Sequence, residues 1–210
     1  PDMGKVTDEY KKLYEENGLK LLAQNCGLQR HIFSTDKLIK VPSDLADETF
    51  RTYEDAIVNT FFGGLGNIAI MPYGELYTSL QNGLITATDQ QIPSYIIENY
   101  YEVAPYYSYV GAQWTSYSLM MNLEKFNSYS PEDQQMFIDA AWACSQAEYD
   151  SYKNMKEDAE AFFDENGITY YQPTEEELSQ WKDYAISLKN EWSELIGEEL
   201  YTQVSELFEY

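Results

Sequence analysis

Short apolar strands alternate with glycine-closed helices in the middle of this chain, and this alternation constrains its fold most strongly. Strand candidates lie at 49–53, 68–71 and 84–88. Between them, the apolar residues of 55–65 and 74–82 recur at helical spacing, and glycines close both helices. The order strand, helix, strand is typical of parallel α/β units. The sequence therefore predicts an α/β fold.

Further elements are predicted on both sides of this region. A polar helix is expected to end at Gly18, which can adopt the left-handed conformation that closes helices. Separate short strands are expected at 19–24, 31–35, 106–110 and 116–121.

A long helix is predicted in the second half of the chain. Ser130-Pro131-Glu132-Asp133 is a strong start, with a capping serine, a proline at the first turn and acids that complement the helix dipole. The helical pattern continues to about Asn166, before Gly167. Some 35 residues would extend for about 50 Å. We predict that this helix spans two lobes, because its apolar positions drift from the heptads of a coiled coil.

The chain is strongly acidic, with a formal net charge of −23. No basic stripe is present to bind nucleic acid, and anionic membrane surfaces would repel the chain. No apolar run approaches the roughly 18 residues of a membrane span, so direct membrane insertion is not expected. No signal peptide is visible, which is consistent with a processed chain. An anionic ligand would have to be held by local positive charge.

Cysteine and histidine are scarce. Cys26 and Cys144 could form one long-range disulfide, although two buried free thiols are the favoured interpretation. His31 is the single histidine, so neither a metal site nor a nucleophilic triad is expected. No cofactor motif is found, and His31 is expected to be structural.

Paired carboxylates leave one enzymatic alternative open. Glu75 and Asp89 form one of many acidic pairs that could serve a carbohydrate-active enzyme. The chain has no Gly-x-Ser-x-Gly and no phosphate-binding glycine-rich loop, so catalysis is the less favoured interpretation.

The chain has two arginines, and each lies beside a predicted strand in an apolar setting. A buried guanidinium needs a partner, because desolvating its charge is costly. Arg30 and Arg51 could each form an ion pair with an internal acid. Alternatively, the guanidinium fork could hold a ligand carboxylate through two hydrogen bonds. Composition does not choose between these roles.

Several motifs together resemble the DctP-type solute-binding proteins of TRAP transporters. The most specific is Met-Pro-Tyr-Gly-Glu-Leu-Tyr-Thr-Ser-Leu-Gln-Asn-Gly at 71–83. The other matching segments, in the family's order, are 30–33, 39–45, Arg51, 101–103 and 130–134. The resemblance covers nearly the whole chain.

This resemblance implies a two-lobed α/β fold like that of periplasmic binding proteins, with a long helix that spans the lobes. Residues 1–27 and 117–155 would form part of lobe one, and residues 28–116 and 156–210 would form lobe two. Family members are longer by roughly a third at the amino end, so lobe one is expected to be incomplete.

The resemblance also implies a non-enzymatic function without a cofactor. The expected protein is an extracytoplasmic or periplasmic subunit that captures a small organic acid by hinge closure and docks on the membrane subunits of a TRAP transporter. A lipid anchor in the full-length precursor is compatible with this expectation. Two alternatives within the same fold stay open: a ligand sensor and a truncated remnant that does not bind.

Six residues are expected at the ligand site by resemblance. Arg51 would be the main carboxylate clamp and Arg30 a second cationic contact. Tyr73 would form an aromatic wall, and Gln90 would make a polar contact where relatives often have asparagine. The other two are Glu54, where relatives place a polar contact, and Trp114, which belongs either to the pocket lining or to the core.

Two departures from the family pattern bear on the ligand. The usual Val-Asp-Gly-Gln-Glu-Asn-Pro stretch is replaced by Ile-Thr-Ala-Thr-Asp-Gln-Gln at 85–91. The acidic residues Glu54 and Asp55 follow closely after Arg51. They favour either a ligand with an amine or several hydroxyls, or compensation of the Arg51 charge.

Overall fold

The computed structural model describes residues 3–208, with side chains described except at 3–9, 25–26, 203–204 and 206–208. The strands are β1 (Leu19–Ser34), β2 (Thr49–Thr52), β3 (Asn67–Ile70), β4 (Ala87–Gln90), β5 (Tyr106–Asn122) and β6 (Thr169–Tyr171). The helices are α1 (Met3–Glu16), α2 (Ala56–Gly63), α3 (Leu76–Gln81), α4 (Ile92–Ile97), α5 (Leu123–Asn127), α6 (Pro131–Ser151), α7 (Met155–Asn166), α8 (Glu175–Ser187), α9 (Lys189–Ile196) and α10 (Glu198–Phe208). Single 3-10 turns lie at Pro42–Leu45, Tyr73–Glu75 and Tyr100–Glu102.

The strands form one mixed sheet in the order β3-β2-β4-β1-β5-β6. β2 runs parallel to both β3 and β4, so β2-α2-β3 and β3-α3-β4 are the predicted α/β units. β1 runs antiparallel to β4, and β5 runs parallel to β6. The predicted α/β class is confirmed. β2, β3 and β4 form the parallel part of the sheet, and β1 pairs with β4 in the antiparallel direction.

Local chemistry explains the unit β2-α2-β3. The Asp55 side chain accepts a hydrogen bond from the Val58 N–H at 3.0 Å and caps the first turn of α2. Val58 and Phe62 form the buried side of this helix. Phe50 on β2 stacks on Phe62 with ring centroids 4.0 Å apart. This contact holds α2 against one face of the sheet.

Two clusters form the core around this sheet. One is aliphatic and aromatic and joins α2, α8 and the sheet: Ile32, Ile39, Leu45, Phe50, Val58, Phe62, Ala87, Val110 and Trp181. The second is an aromatic stack on α4, α7 and the inner strands: Phe33, Tyr95, Tyr100, Tyr107 and Phe163. Each large side chain buried in this way contributes about 1.5–3 kcal/mol.

Contacts divide the chain into two compact units. Unit 1 comprises Pro1–Leu28 and Trp114–Glu157, and unit 2 comprises Gln29–Gln113 and Asp158–Tyr210. The assignment of 1–27 with 117–155 and of 28–116 with 156–210 to the lobes of a binding protein stays a prediction.

Unit 1 has contacts of its own between α1, β1, β5 and α5. The Tyr14 hydroxyl donates to the Ser118 hydroxyl at 2.9 Å. The Leu123 N–H donates to the Gly18 carbonyl at 2.8 Å, where φ of Gly18 is +74°. Gly18 therefore closes α1 in the left-handed conformation, as predicted.

The long helix predicted from Ser130 is interrupted once. α6 ends at Ser151, a turn follows, and α7 begins at Met155. The Ser151 hydroxyl donates to the Glu148 carbonyl at 2.6 Å, and the Tyr152 hydroxyl donates to the Glu148 carboxylate at 2.6 Å. The Tyr152 N–H donates to the Tyr149 carbonyl rather than to the Glu148 carbonyl, which the Ser151 hydroxyl occupies, so α-helical pairing stops here although the helical pattern of the sequence continues.

Two pairs of predicted strands are single strands in the structure. β1 runs through both 19–24 and 31–35 as far as Ser34, and β5 runs through both 106–110 and 116–121. In β5, the stretch between the two predicted strands contains Gly111. This glycine has φ of +65°, and its N–H donates to His31 Nδ1 at 3.0 Å. A glycine irregularity is thus accommodated within the strand rather than ending it.

Cys144 corrects the expectation of two buried thiols. Its thiol is free and exposed on α6. The buried positions of this helix are Ala141 and Ser145, and Cys144 lies outside that stripe. The Cys26 side chain lies outside the described residues, so the expectation of a buried thiol at this position stays a prediction.

Among the helices of residues 3–208, none combines the length and the apolar character that crossing a bilayer requires.

Candidate functional site

Polar side chains of unit 2 gather where the parallel strands β2, β3 and β4 end. These strands end at Thr52, Ile70 and Gln90. Ligands of open α/β sheets bind outside the carboxyl ends of parallel strands. The predicted residues Arg51 and Gln90 both lie at this edge, within the last two residues of their strands.

Arg51 is buried at this edge, with only 3% of its surface exposed. Its Nε and Nη2 donate to the Met71 carbonyl at 3.2 and 2.8 Å. The Met71 N–H in turn donates to the Thr52 carbonyl at 3.2 Å, which extends the β2–β3 pairing. One edge of the Arg51 guanidinium is therefore fixed by backbone.

The other edge of Arg51 is available. Among the described residues, no carboxylate lies within ion-pair distance of Arg51, and its Nη1 has no hydrogen-bond acceptor. The predicted alternative of an internal ion pair is therefore wrong for Arg51, whose acceptor is the neutral Met71 carbonyl. The guanidinium keeps donors that could meet a carboxylate oxygen pair.

Burial lowers the pKa of the Arg51 guanidinium, because the desolvated charged form is disfavoured. The charge of Arg30 lowers this pKa further, and Asp89 raises it. Arginine stays protonated despite such a shift. The shift therefore indicates a buried cation that is poorly compensated and would be stabilised by an anion.

Arg30 shows the opposite arrangement. Its Nε donates to Asp89 Oδ2 at 2.7 Å and its Nη2 to Asp89 Oδ1 at 3.1 Å. Nη2 also donates to the Asp89 backbone carbonyl at 2.7 Å, and Nη1 donates to Gln90 Oε1 at 3.0 Å. The alternative of an internal ion pair is thus what Arg30 adopts. Its predicted role as a second cationic ligand contact stays a prediction.

A polar network extends from this ion pair. Gln113 Nε2 donates to Asp89 Oδ2 at 3.0 Å, and the Tyr53 hydroxyl donates to Gln113 Oε1 at 3.3 Å. We call Arg30, Asp89, Gln90, Gln113 and Tyr53 the polar network.

Tyr53 connects the polar network to Arg51. The guanidinium carbons of Arg30 and Arg51 lie 5.7 and 5.6 Å from the centroid of its ring. Both distances are within the range of cation–π attraction. Burial raises the pKa of the Tyr53 hydroxyl, so the ring stays neutral between the two cations.

Tyr73 and Gln90 differ in how accessible they are. Tyr73 begins the 3-10 turn Tyr73–Glu75, is 43% exposed, and meets the ring of Tyr100 edge-on at 6.4 Å. Gln90 is 4% exposed and its carbonyl accepts from Arg30. Tyr73 could line an open surface, whereas Gln90 has its oxygen engaged.

Three further residues near Arg51 in sequence or predicted for the site form no hydrogen bond with Arg51 or the polar network: Glu54, Asp55 and Trp114. Glu54 is exposed and forms no hydrogen bond or ion pair with another described residue. Asp55 caps α2, so this carboxylate has a structural role rather than that of compensating Arg51. Trp114 belongs to unit 1 and is 70% exposed. The predicted ligand roles of Glu54 and Trp114 stay predictions.

The structure does not favour Glu75 and Asp89 as a catalytic pair of acids. The Asp89 carboxylate is buried and accepts hydrogen bonds from Arg30 and Gln113, so its oxygens are engaged within the protein. Glu75 is exposed in a 3-10 turn. His31 is buried between the rings of Tyr107 and Tyr109.

Sequence reasoning gave no site role to four members of this site. Asp89 appeared only as a candidate acid and Met71 only as the first residue of the family motif, whereas Gln113 and Tyr53 belonged to no motif. Tyr53 follows Arg51 by two residues and so shares its side of an extended chain, which was a usable signal. Among the described residues, no group of three His, Cys, Asp or Glu side chains could hold a metal ion.

Comparison with known proteins assigns the chain to a family. Residues 2–195 match the model of bacterial extracellular solute-binding proteins, family 7. The chain is 27% identical over 201 residues to the ectoine-binding periplasmic protein TeaA of Halomonas elongata, covering 92% of this chain and 58% of TeaA. It is 30% identical over 139 residues to the 2,3-diketo-L-gulonate-binding periplasmic protein YiaO of Escherichia coli, covering 66% of this chain and 42% of YiaO.

Solved structures share the fold. The ectoine-binding protein of the TeaABC TRAP transporter of Halomonas elongata superposes with a TM-score of 0.84 at 25% identity, covering 93% of this chain and 65% of that one. A TRAP periplasmic binding protein of Chromohalobacter salexigens with bound D-glucuronate gives 0.87 at 20% identity, covering 96% and 67%. The predicted two-lobed fold class is thereby confirmed, and the chain spans about three fifths of the length of TeaA. The chain belongs to family 7 of the bacterial extracellular solute-binding proteins.

Proposed function

We propose that this chain is the ligand-binding part of a periplasmic subunit of a TRAP transporter, and that it captures a small organic acid through Arg51. The observation that carries the proposal is a buried guanidinium with one edge fixed on the Met71 carbonyl and the other without a carboxylate partner. A desolvated cation of this kind gains more from an incoming carboxylate than an exposed one does.

The surroundings support a carboxylate-binding role rather than a structural one. The Met71 carbonyl is held by backbone pairing, and the Tyr53 ring lies against the guanidinium. Preorganised donors lose little freedom when a ligand arrives. The Arg51 fork is therefore set in position before binding.

The comparisons support the chemical class of the ligand. Proteins with the same fold are described with bound D-glucuronate, β-D-galacturonate, D-erythronate and succinate, all of which are organic acids. Relatives in sequence are named for ectoine and for 2,3-diketo-L-gulonate. Docking on transporter membrane subunits and hinge closure are expected from the family and belong to the same proposal.

A thermal-shift screen followed by calorimetry tests the role of Arg51. We expect at least one of D-glucuronate, D-galacturonate, D-erythronate, succinate and ectoine to raise the melting temperature, because a ligand that binds the folded state stabilises it. Arg51→Gln should weaken that ligand by about 3 kcal/mol, more than a hundredfold in Kd. Arg51→Lys should lose most of the affinity, since a point charge lacks the fork.

The matched control removes a positive charge from an exposed side chain of unit 1. Lys12→Gln deletes one positive charge from a side chain that is 78% exposed and should leave the Kd unchanged. If Arg51→Gln bound the ligand as tightly as the parent chain, the clamp would be disproved. If none of the acids bound, the interpretation as a remnant would replace that of a binding protein, and binding without any transporter partner would favour a sensor.

A further inference from the structure

The second arginine of the site is already engaged by the protein. Nε and Nη2 of Arg30 donate to both carboxylate oxygens of Asp89, at 2.7 and 3.1 Å. This is the arrangement in which a guanidinium fork would otherwise hold a ligand carboxylate. Nη1 donates to Gln90. Asp89 thus occupies the position of a second bound carboxylate.

Displacing Asp89 from this position would be unfavourable. The side chains of Arg30 and Asp89 are 11% and 2% exposed, so the Asp89 carboxylate has little access to water. Gln113 holds it from a second side at 3.0 Å. A buried ion that loses its partner without gaining hydration is strongly destabilising.

Arg51, Arg30 and Asp89 together therefore carry a single positive formal charge. Arg30 and Asp89 are the formal charges that most shift the pKa of Arg51, and they are of opposite sign. Their mutual ion pair is 2.7 Å long. The chain has two arginines, and Arg30 is paired with Asp89. The guanidinium charge without a carboxylate partner is therefore that of Arg51.

We infer that this site selects organic acids with one carboxylate over those with two, and that Asp89 is the residue that sets this selection by neutralising Arg30. This inference rests on the proposed function of Arg51. One carboxylate of a ligand meets Arg51, whereas a second carboxylate finds no uncompensated cation, because Asp89 already neutralises Arg30. A second carboxylate that loses its hydration without gaining a partner lowers affinity, and such an unpaired charge is a means of rejecting a competing ligand.

Matched ligand pairs test the selection on the parent chain, without any variant. Succinamate and succinate have the same carbon skeleton and differ by one negative charge, and D-glucuronate and D-glucarate form a second pair. We expect the monocarboxylate of a bound pair to have a Kd at least about tenfold lower by calorimetry. A dicarboxylate that bound as tightly as its partner would overturn the inference.

Two variants assign the selection to Asp89. Asp89→Asn leaves the Arg30 charge uncompensated and should shift the ratio of the two Kd values towards the dicarboxylate by about tenfold or more. The double variant Arg30→Gln with Asp89→Asn removes both charges, so the sum at the site is unchanged. This double variant should show the same ratio of the monocarboxylate Kd to the dicarboxylate Kd as the parent chain, even where both ligands bind more weakly.

The outcomes separate this inference from the proposed function. A ratio that does not change in Asp89→Asn, in protein whose thermal unfolding shows that it is folded, disproves the role of Asp89 while Arg51 stays the clamp. Should Asp89→Asn not fold, the double variant decides, because a dicarboxylate preference there also overturns the inference. Binding that is insensitive to Arg51→Gln, or no binding of either pair, overturns the proposed function and the inference with it.

Discussion

Gly66 lies between α2 and β3, where the chain passes close to the backbone of Leu45. A Cβ added at Gly66 would meet the Leu45 carbonyl oxygen. That carbonyl accepts the Glu48 N–H at 3.0 Å, and Leu45 itself is 1% exposed. The Asn67 N–H donates to the Glu48 carbonyl at 3.2 Å, which joins the two segments directly. Neither backbone can therefore move aside without breaking a hydrogen bond.

Gly66→Ala is expected to lower the free energy of unfolding by roughly 1–3 kcal/mol, the usual cost of overpacking a site that cannot relax. Urea unfolding followed by circular dichroism measures it. The matched control is Gly74→Ala, because a Cβ at Gly74 has nothing within 4 Å. Equal midpoints for Gly66→Ala and the control would show that the Leu45 segment yields.

Single residues also show how far the sequence could predict the site. Arg30 and Arg51 could be singled out because they are the chain's two arginines and both lie beside predicted strands, and the resemblance to the family implied that Arg51 is the main clamp. The ion pair that distinguishes Arg30 could not be predicted, since its partner Asp89 is 59 residues away. Pairing across a sheet depends on strand order, and the β1–β4 neighbourhood was not predictable from spacing. Which arginine stays available is therefore a tertiary property.

The start of α6, which carries a capping residue, was predicted well, whereas the end of α6 and the length of β5 were not. Ser130 caps α6 by accepting the Asp133 N–H at 3.2 Å, as its sequence indicated. The end of α6 at Ser151 is marked instead by the Tyr152 N–H, which donates to the Tyr149 carbonyl at 3.2 Å, and helical periodicity does not encode this change of partner. In β5, the sequence predicted separate strands at 106–110 and 116–121, whereas the structure continues one strand through Gly111, whose φ is +65°.

The start of α8 is held by a reciprocal cap. The Thr174 hydroxyl accepts the Glu177 N–H at 3.2 Å, and the Glu177 carboxylate accepts the Thr174 N–H at 2.7 Å. Tyr171 on β6 also donates to Glu177, at 3.0 Å. α8 in turn carries Trp181 into the core, where its Nε1 donates to the Lys40 carbonyl at 2.9 Å. The cap therefore fixes the helix that closes one side of unit 2.

This cap should make stability depend on pH. The Thr174 backbone N–H, followed by the Tyr171 hydroxyl, holds the pKa of the Glu177 carboxyl below its ordinary value of 4.5. A depressed folded-state pKa contributes stability above the unfolded pKa and loses it as pH falls through the folded value. Glu177→Gln should therefore lower the urea midpoint near pH 7, and its difference from the parent chain should narrow at about pH 3.

The control for this prediction is Glu176→Gln. Glu176 is also in the first turn of α8 but is exposed and makes no capping bond, so its substitution changes only the charge at the helix amino end. A Glu177→Gln midpoint that matched the control at both pH values would show that the reciprocal cap contributes nothing measurable.

Across the whole molecule, a net charge of −23 surrounds a site whose own charge is positive. The field of the chain repels an anionic ligand at a distance, whereas Arg51 attracts it at contact. Salt screens the first interaction much more than the second, because the Debye length is about 10 Å at 0.1 M and buried groups are screened little. Approach and retention of the ligand are therefore governed by opposite charges.

The proposed carboxylate capture should consequently become faster as salt is added. In stopped-flow measurements, the association rate constant of a monocarboxylate is expected to rise between roughly 10 and 150 mM salt, while the dissociation rate constant changes little, because screening weakens a long-range repulsion. The association rate constant of a dicarboxylate should depend on salt about twice as strongly, since the repulsion scales with ligand charge. Replacing chloride with a larger anion separates screening from competition at Arg51. An association rate that fell with salt under both anions would mean that local attraction extends beyond the site and that the acidic surface does not oppose capture.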